Sequence, residues 1–288
     1  MTRLDGEWLL TGAAGQIGGI LRTGLRPVVP GLRLLDIKPL TAESPNERAY
    51  SLDLQDLPGL TEAMAGVQGV IHLAGIADEA DFRDLTEVNI VGTYHVFEAA
   101  RRASVARVIF ASTNHVTGYY PTTVPVGPDM PVRPDGFYGV SKVAGEAVAR
   151  LYADKFGLEV ACLRIGSCRP RPTEPRHRHT WLSPRDATAA FVAAMSTPDL
   201  TYATFYGVSA NQLGWWDREA GRANGYHPSD RAEDHLGGAT WEPATDEVQG
   251  GVLATAAYTL DRQRPHPALA PSDPTNVIDD RRDDDHRG

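Results

Sequence analysis

Leu9-Leu10-Thr11-Gly12-Ala13-Ala14-Gly15-Gln16-Ile17-Gly18 decides the reading of the chain. An apolar run, Trp8 to Leu10, enters a turn with G-x-x-G-x-x-G spacing. An amphipathic pattern, Gln16 to Thr23, leaves it. A strand feeding a glycine turn into a helix lets the backbone approach a ligand closely and points amide groups at it. Glycine turns after strands also occur for purely structural reasons, so the motif's company matters.

Beyond this turn, short apolar runs alternate with helical patterns, the signature of βαβ units and a parallel sheet. Strands are expected at Arg33 to Asp36, Gly69 to Leu73, Arg107 to Ala111 and Glu159 to Ile165, with a further one ahead of Asp53. Helices are expected at Leu60 to Met64, Asp84 to Arg102 and Tyr138 to Phe156, where apolar residues recur three and four apart. The fold class is α/β, a Rossmann-type doubly wound parallel sheet with a small C-terminal substrate-binding lobe.

In such a fold the glycine turn cradles a pyrophosphate, with Gly12, Gly15, Gln16, Ile17 and Gly18 as contacts. Asp36 ends the second strand, where its carboxylate accepts from adenosine ribose hydroxyls and repels a 2′-phosphate, favouring NAD over NADP. Asp53 and Leu54 fall beside the adenine, although Asp53 reads nearly as well as a helix cap. Leu73, Ala74 and Gly75 close the fourth strand near the second ribose, and Ile165, Tyr138 and Lys142 complete the expected cofactor set, with Lys142 able to hold that ribose.

The 288 residues, 42% hydrophobic and 23% charged, suit a globular chain. A formal charge of −9 argues against nucleic acid or an anionic membrane as partner. No long apolar run or room for a signal peptide is visible, which gives a cytoplasmic expectation. Cys162 and Cys168 do not make a disulfide framework, and no spacing matches a metal site. Residues 1–165 are expected to form the NAD-binding domain and 166–260 a small lobe interleaved with the core. Within that lobe a helix is expected from Arg185 to Met195 and a short strand near Phe205. Residues 261–288, Pro-rich and then charged, are expected to be a disordered tail.

Tyr138-Gly139-Val140-Ser141-Lys142 places a phenol and an ammonium one helical turn apart on one face. A free tyrosine, with a pKa of about 10, is a poor base, and a nearby cation is the way to lower it. The chain has only three lysines, Lys38, Lys142 and Lys155, which makes the spacing less accidental. Twenty-five residues upstream, Thr113 ends a strand, placed either to steady a reacting oxygen or to cap a turn.

With the glycine turn, Asp36, Thr113, Tyr138 and Lys142 in this order, residues 7–235 resemble the extended short-chain dehydrogenase/reductase family. Within it, Ala111 to Pro121, Arg133 to Lys142 and Arg164-Ile165-Gly166-Ser167-Cys168 are similar to the uronate dehydrogenases. The resemblance implies NAD-dependent oxidation of galacturonate or glucuronate at C1 to an aldarolactone, with Thr113, Tyr138 and Lys142 catalytic. It implies a substrate site of Ser112, Thr113, Asn114, His115, Tyr138, Ser167 and Arg176, and a homo-oligomer. Two departures stand out: Thr113 replaces the usual serine, and Ala77 stands where these enzymes can carry a substrate-contacting serine.

Arg176 suits a carboxylate, since a guanidinium makes bidentate, charge-assisted contacts, but it lies among several arginines. His115 reads equally as a sugar contact or as packing beneath its loop. Arg169 to His179 reads better as a solvated loop than as a metal site. Trp181, Trp215 and Trp216 suit core packing or an oligomer contact better than a pocket wall. Two other functions fit parts of the pattern: a nucleotide-sugar epimerase or dehydratase, and a non-catalytic dinucleotide sensor. The first usually needs a larger C-terminal region, and the second would not need Thr113, Tyr138 and Lys142.

Overall fold

Residues 4–235 and 247–264 are described by a computed structural model. The first half alternates as expected: β1 Glu7–Thr11, α1 Gln16–Leu25, β2 Gly31–Asp36, β3 Glu47–Ser51, α2 Leu57–Met64 and β4 Gly69–His72. Then come α3 Phe82–Leu85, a π-helical turn Thr86–Val91, α4 Gly92–Arg102, β5 Arg107–Thr113, α5 Phe137–Phe156 and β6 Glu159–Ile165. Beyond them lie β7 Ser167–Cys168, α6 His177–Thr180, β8 Trp181–Leu182, α7 Pro184–Ser196, β9 Tyr202–Gly207, α8 Glu219–Ala223 and α9 Ala256–Leu260.

Seven strands form one parallel sheet in the order β3-β2-β1-β4-β5-β6-β9. Period-two alternation sends successive side chains to opposite faces, and both faces are apolar because helices cover both. Leu10, Leu34, Ile71, Ile109 and Leu163 join the core layer that includes Leu21 of α1 and Phe191 of α7. Leu9, Leu35, Val70, Val108 and Val160 join the opposite layer with Leu60, Phe97 and Tyr152, from α2, α4 and α5. Burying each such side chain contributes about 1.5–3 kcal/mol. Strand order reverses beside β1, opening a crevice at the carboxyl ends of β1 and β4.

The segment after Gly166 is not separate from this sheet. It supplies α7, packed beside α1, and the edge strand β9, paired to β6. The tryptophans pack as expected: Trp181 is buried, Trp216 stacks on Tyr206 at 5.2 Å, and Trp215 stacks on His179 at 4.3 Å.

Two expectations need correction. The helix expected from Asp84 to Arg102 starts at Phe82 and is interrupted by the π turn, which adds one residue per turn and turns Asn89 inward. The start of the expected tail is fastened: Phe82 N–H donates to Gln263 Oε1 at 2.9 Å, and Arg264 N–H donates to Asp81 Oδ2 at 3.0 Å. Residues 265–288 of that tail lie outside the described residues.

Beneath the crevice, His72 is fully buried between Thr11 and Thr93. Thr11 Oγ1 accepts from Leu73 N–H and Ala74 N–H, both at 3.2 Å, so its own proton goes to His72 Nδ1 at 2.8 Å. His72 Nε2 then donates to Thr93 Oγ1 at 3.1 Å. Burial, aided by the Lys142 charge, pushes the imidazole down to about 3 from 6.5. The unfolded chain therefore binds an extra proton between those values, and this site's contribution to stability falls as pH drops from 6.5 toward 3. Denaturant melts should show a loss on the order of several kcal/mol across that window. In His72→Gln the acid slope should be visibly flatter, and an unchanged slope would remove this assignment.

Candidate active site

The crevice is a cleft of about 800 Å³. Every site residue expected from the sequence lines it. On the β1 side Gly12 has φ +69, and a Cβ there would lie 2.7 Å from Ala74 N, so the turn requires glycine. A Cβ at Gly18 would overlap Gly12 O, so α1 packs directly on the turn. Gly15 caps α1 without a side chain, and residues Gly15 to Gly18 present the helix N-terminus to the cleft. This is the arrangement a pyrophosphate needs.

Asp36 bridges the turn to β2: its Oδ2 accepts from Ala14 N–H at 2.9 Å and its Oδ1 from Lys38 N–H at 3.0 Å. A carboxylate has roughly four acceptor sites, so capacity for ribose hydroxyls remains. Asp53 is not the cap of α2. That role belongs to Asp56, which accepts from Gly59 N–H at 3.0 Å, while Asp53 accepts from Gln55 N–H in its own turn. Gln16 Nε2 donates to Cys168 O at 3.0 Å, tying α1 to β7 across the cleft.

Tyr138 and Lys142 share the inner face of α5 and are both buried. Thr113 caps the next turn, its Oγ1 accepting from His115 N–H at 3.3 Å, and its hydroxyl also hydrogen-bonds the buried Tyr138. Lys142 Nζ donates to Ala111 O at 3.0 Å and lies 6.0 Å from the Tyr138 ring centre. The expected lowering of the phenol by Lys142 is absent. Burial pushes Tyr138 up to about 12, with Thr113 opposing, and burial lowers Lys142 to about 8. Desolvation disfavours both charged forms.

On the other wall Asn114 donates its amide to Ile165 O at 2.9 Å and accepts from Arg176 Nη2 at 3.3 Å, the amide orientation that satisfies both neighbours. Arg176 Nε and Nη2 donate to Gln249 O at 3.1 and 2.7 Å. Ser167 Oγ shares a hydrogen bond of 2.8 Å with Thr180 Oγ1. The Ser112 hydroxyl donates at 2.6 Å to Glu146, itself paired in a fork with buried Arg164. His115 lines the cleft, and its ring meets Tyr138 edge-on at 6.2 Å.

The stretch Arg169 to His179 is an exposed loop over most of residues 169–174, as expected, and turns inward at α6. The β7–β8 pairing pins its ends, His177 is buried, and Arg169, Glu174, Arg176 and His177 line the cleft.

Several contributors escaped the sequence reading. Asn89 Oδ1 accepts from Ile76 N–H at 2.8 Å, and its amide donates to Ile76 O and Ser141 Oγ, locking the turn after β4 onto α5. Glu79 accepts from the N–H groups of Phe137 and Tyr138, both at 3.0 Å, so it caps α5 from a distant loop. Leu253 and Tyr258 reach the cleft from the C-terminal segment, where the Tyr258 hydroxyl donates to Asp78. No local spacing signals partners this far apart in sequence.

The fold and cleft define an α/β protein with a dinucleotide-type crevice at the switch point of a doubly wound sheet. The chain belongs to the NAD dependent epimerase/dehydratase family, whose model matches residues 8–182. It is 46% identical over 225 residues to a uronate dehydrogenase of Agrobacterium fabrum, covering 78% of this chain and 85% of the relative. A solved uronate dehydrogenase mutant from Agrobacterium tumefaciens, complexed with NAD, superposes with a TM-score of 0.82 at 42% identity, covering 87% and 97% of the two chains. A glucuronic acid dehydrogenase from Chromohalobacter salexigens gives 0.83 at 36% identity, covering 89% and 99%.

Proposed function

We propose that this chain is an NAD-dependent uronate dehydrogenase, oxidising a cyclic hexuronate such as galacturonate or glucuronate at C1 to the aldarolactone. One observation carries the reading: the Thr113, Tyr138 and Lys142 set lines the same cleft as Arg176, a fixed cation suited to a carboxylate. The names of the relatives support it.

The fit to NAD rests on the two glycines that admit no Cβ, the helix N-terminus without a side-chain cap, and Asp36 at the end of β2. Bound there, NAD supplies the acceptor for the hydride from C1. The protein handles the proton. Tyr138 takes it from the anomeric hydroxyl, Thr113 hydrogen-bonds the reacting oxygen, and Lys142 stabilises the phenolate. Burial disfavours the Tyr138 phenolate, which makes the Lys142 charge on the same face of α5 the group that offsets it.

Residues 166–260 supply the carboxylate side through Arg176. Ala77 lines the cleft without a hydroxyl, so sugar recognition falls on the polar groups from Thr113 to His115 and Ser167. No described helix is long and apolar enough to cross a membrane. Dependence on the NAD pool places the enzyme in the cytoplasm, and a symmetric homo-oligomer completes the proposal.

NADH absorbance, followed with NAD or NADP against uronates, neutral aldoses and UDP-sugars, tests the reading. NADH should form with galacturonate or glucuronate and NAD. Turnover of a UDP-sugar alone would favour the nucleotide-sugar branch of the family and overturn the proposal.

A further inference from the structure

The substrate wall beside Tyr138 holds a histidine whose hydrogen-bonding polarity is set from behind. His115 Nδ1 lies 2.7 Å from Asp135 Oδ2, and both residues are buried. An ionised carboxylate only accepts, so the neutral imidazole in this pair carries its proton on Nδ1 and its lone pair on Nε2. His115 lines the cleft, which leaves Nε2 as the nitrogen available to a ligand.

Asp135 is built into place. A Cβ at Gly118 or at Gly250 would overlap its carboxylate, so two separate segments of backbone close on it. Asp135 N–H donates to His115 O at 3.2 Å, and a Cβ at Gly139 would lie 2.7 Å from that same carbonyl. Asp135 also lies three residues ahead of Tyr138, on the turn that opens α5 and that Glu79 anchors. The imidazole and the phenol are therefore carried by one rigid unit.

We propose that Asp135 is a positioning residue that holds His115 as the Nδ1–H tautomer, making Nε2 an acceptor for a sugar hydroxyl. The inference rests on the uronate reading and deepens it. An acceptor lone pair repels a carboxylate, whereas Arg176 on the same cleft attracts one. A hexuronate is thereby oriented with its hydroxyl face toward His115 and its carboxylate toward Arg176. The same polarity disfavours the reverse orientation, which would place the carboxylate beside Tyr138.

Two measurements test this on the full chain. Long-range 1H–15N correlation of the histidine rings, with His115 assigned through His115→Gln, should show the Nδ1–H tautomer in the wild type. It should show the Nε2–H form in Asp135→Ala. An Nε2–H wild-type ring would overturn the proposal, with or without a foldable variant. With galacturonate, Asp135→Ala should raise KM about tenfold while kcat stays within about threefold, the loss of one hydrogen bond. The Kd for NAD should be unchanged.

Asp135→Asn keeps an amide oxygen able to accept from Nδ1, and should restore most of both the tautomer and KM. A purely structural role would lower Tm and weaken NAD binding along with KM, and that pattern would also overturn the proposal. If the wild type oxidises no uronate, the proposed function fails, and the ring tautomer still decides the role of Asp135.

Discussion

Tyr138→Phe should lower kcat for galacturonate by about 10³-fold, within the range expected when a positioned general base is removed. The substitution takes away one oxygen and leaves the ring. The edge-on contact with His115 survives, and Glu79 still holds the backbone N–H of residue 138, so α5 keeps its start and Lys142 its place. The expected cofactor contacts are carried chiefly by the turn after β1 and the ends of β2 and β4, whose packing does not use the phenol oxygen. The Kd for NAD, read by fluorescence titration, should therefore stay within about twofold of wild type, and Tm should not fall. Retention of most of the turnover would show that the proton leaves by another route and would remove Tyr138 from the mechanism. A matching collapse of NAD binding would instead assign it a cofactor role.

The sheet was legible because β1, β2, β4, β5 and β6 are apolar runs bounded by turns, whereas β3, with the sequence ERAYS, is polar and mostly exposed and carries no such signal. The turn at Gly12, Asp36 and the Tyr138/Lys142 pair were legible because their chemistry depends on short spacings. Groups joined only by the fold were not. Glu79 meets Tyr138 across 59 positions, and Tyr258 meets Asp78 across 180. The π turn was hidden because Thr86 to Val91 keeps an amphipathic pattern, and one extra residue per turn shifts the register without changing composition. Asp135 and His115 were each visible within a motif, but their pairing was not, since it depends on two backbone segments, at Gly118 and Gly250, closing on the Asp135 carboxylate. The sign of the Tyr138 shift was misread for a related reason. Spacing reveals that a cation is near, whereas desolvation depends on complete burial, which only packing reveals.

Arg176→Ala should raise KM for galacturonate by about 10–100-fold, the range for losing a hydrogen-bonded contact between charges. The guanidinium is fastened before any ligand arrives, by the Gln249 carbonyl on one side and Asn114 on the other. Asn114 adjoins Thr113, so the cation is held in fixed relation to the reacting oxygen. Because the carboxylate takes no part in the bonds broken at C1, its contact is made equally in the bound and transition states. The loss should therefore fall on KM, with kcat within about threefold. A neutral aldose supplies the control: it never engages the cation, so its kcat/KM should stay within about twofold, and discrimination against it should narrow by the same factor that uronate binding loses. Arg176→Lys should recover only part of the affinity, since an ammonium keeps the charge but not the planar fork. The alanine variant also strips Gln249 O of two donors, a cost of about 1–3 kcal/mol if that carbonyl stays dry, so Tm has to be measured alongside. A lower Tm with an unchanged KM would make Arg176 a strut for the C-terminal segment and leave the carboxylate to another group on the cleft wall.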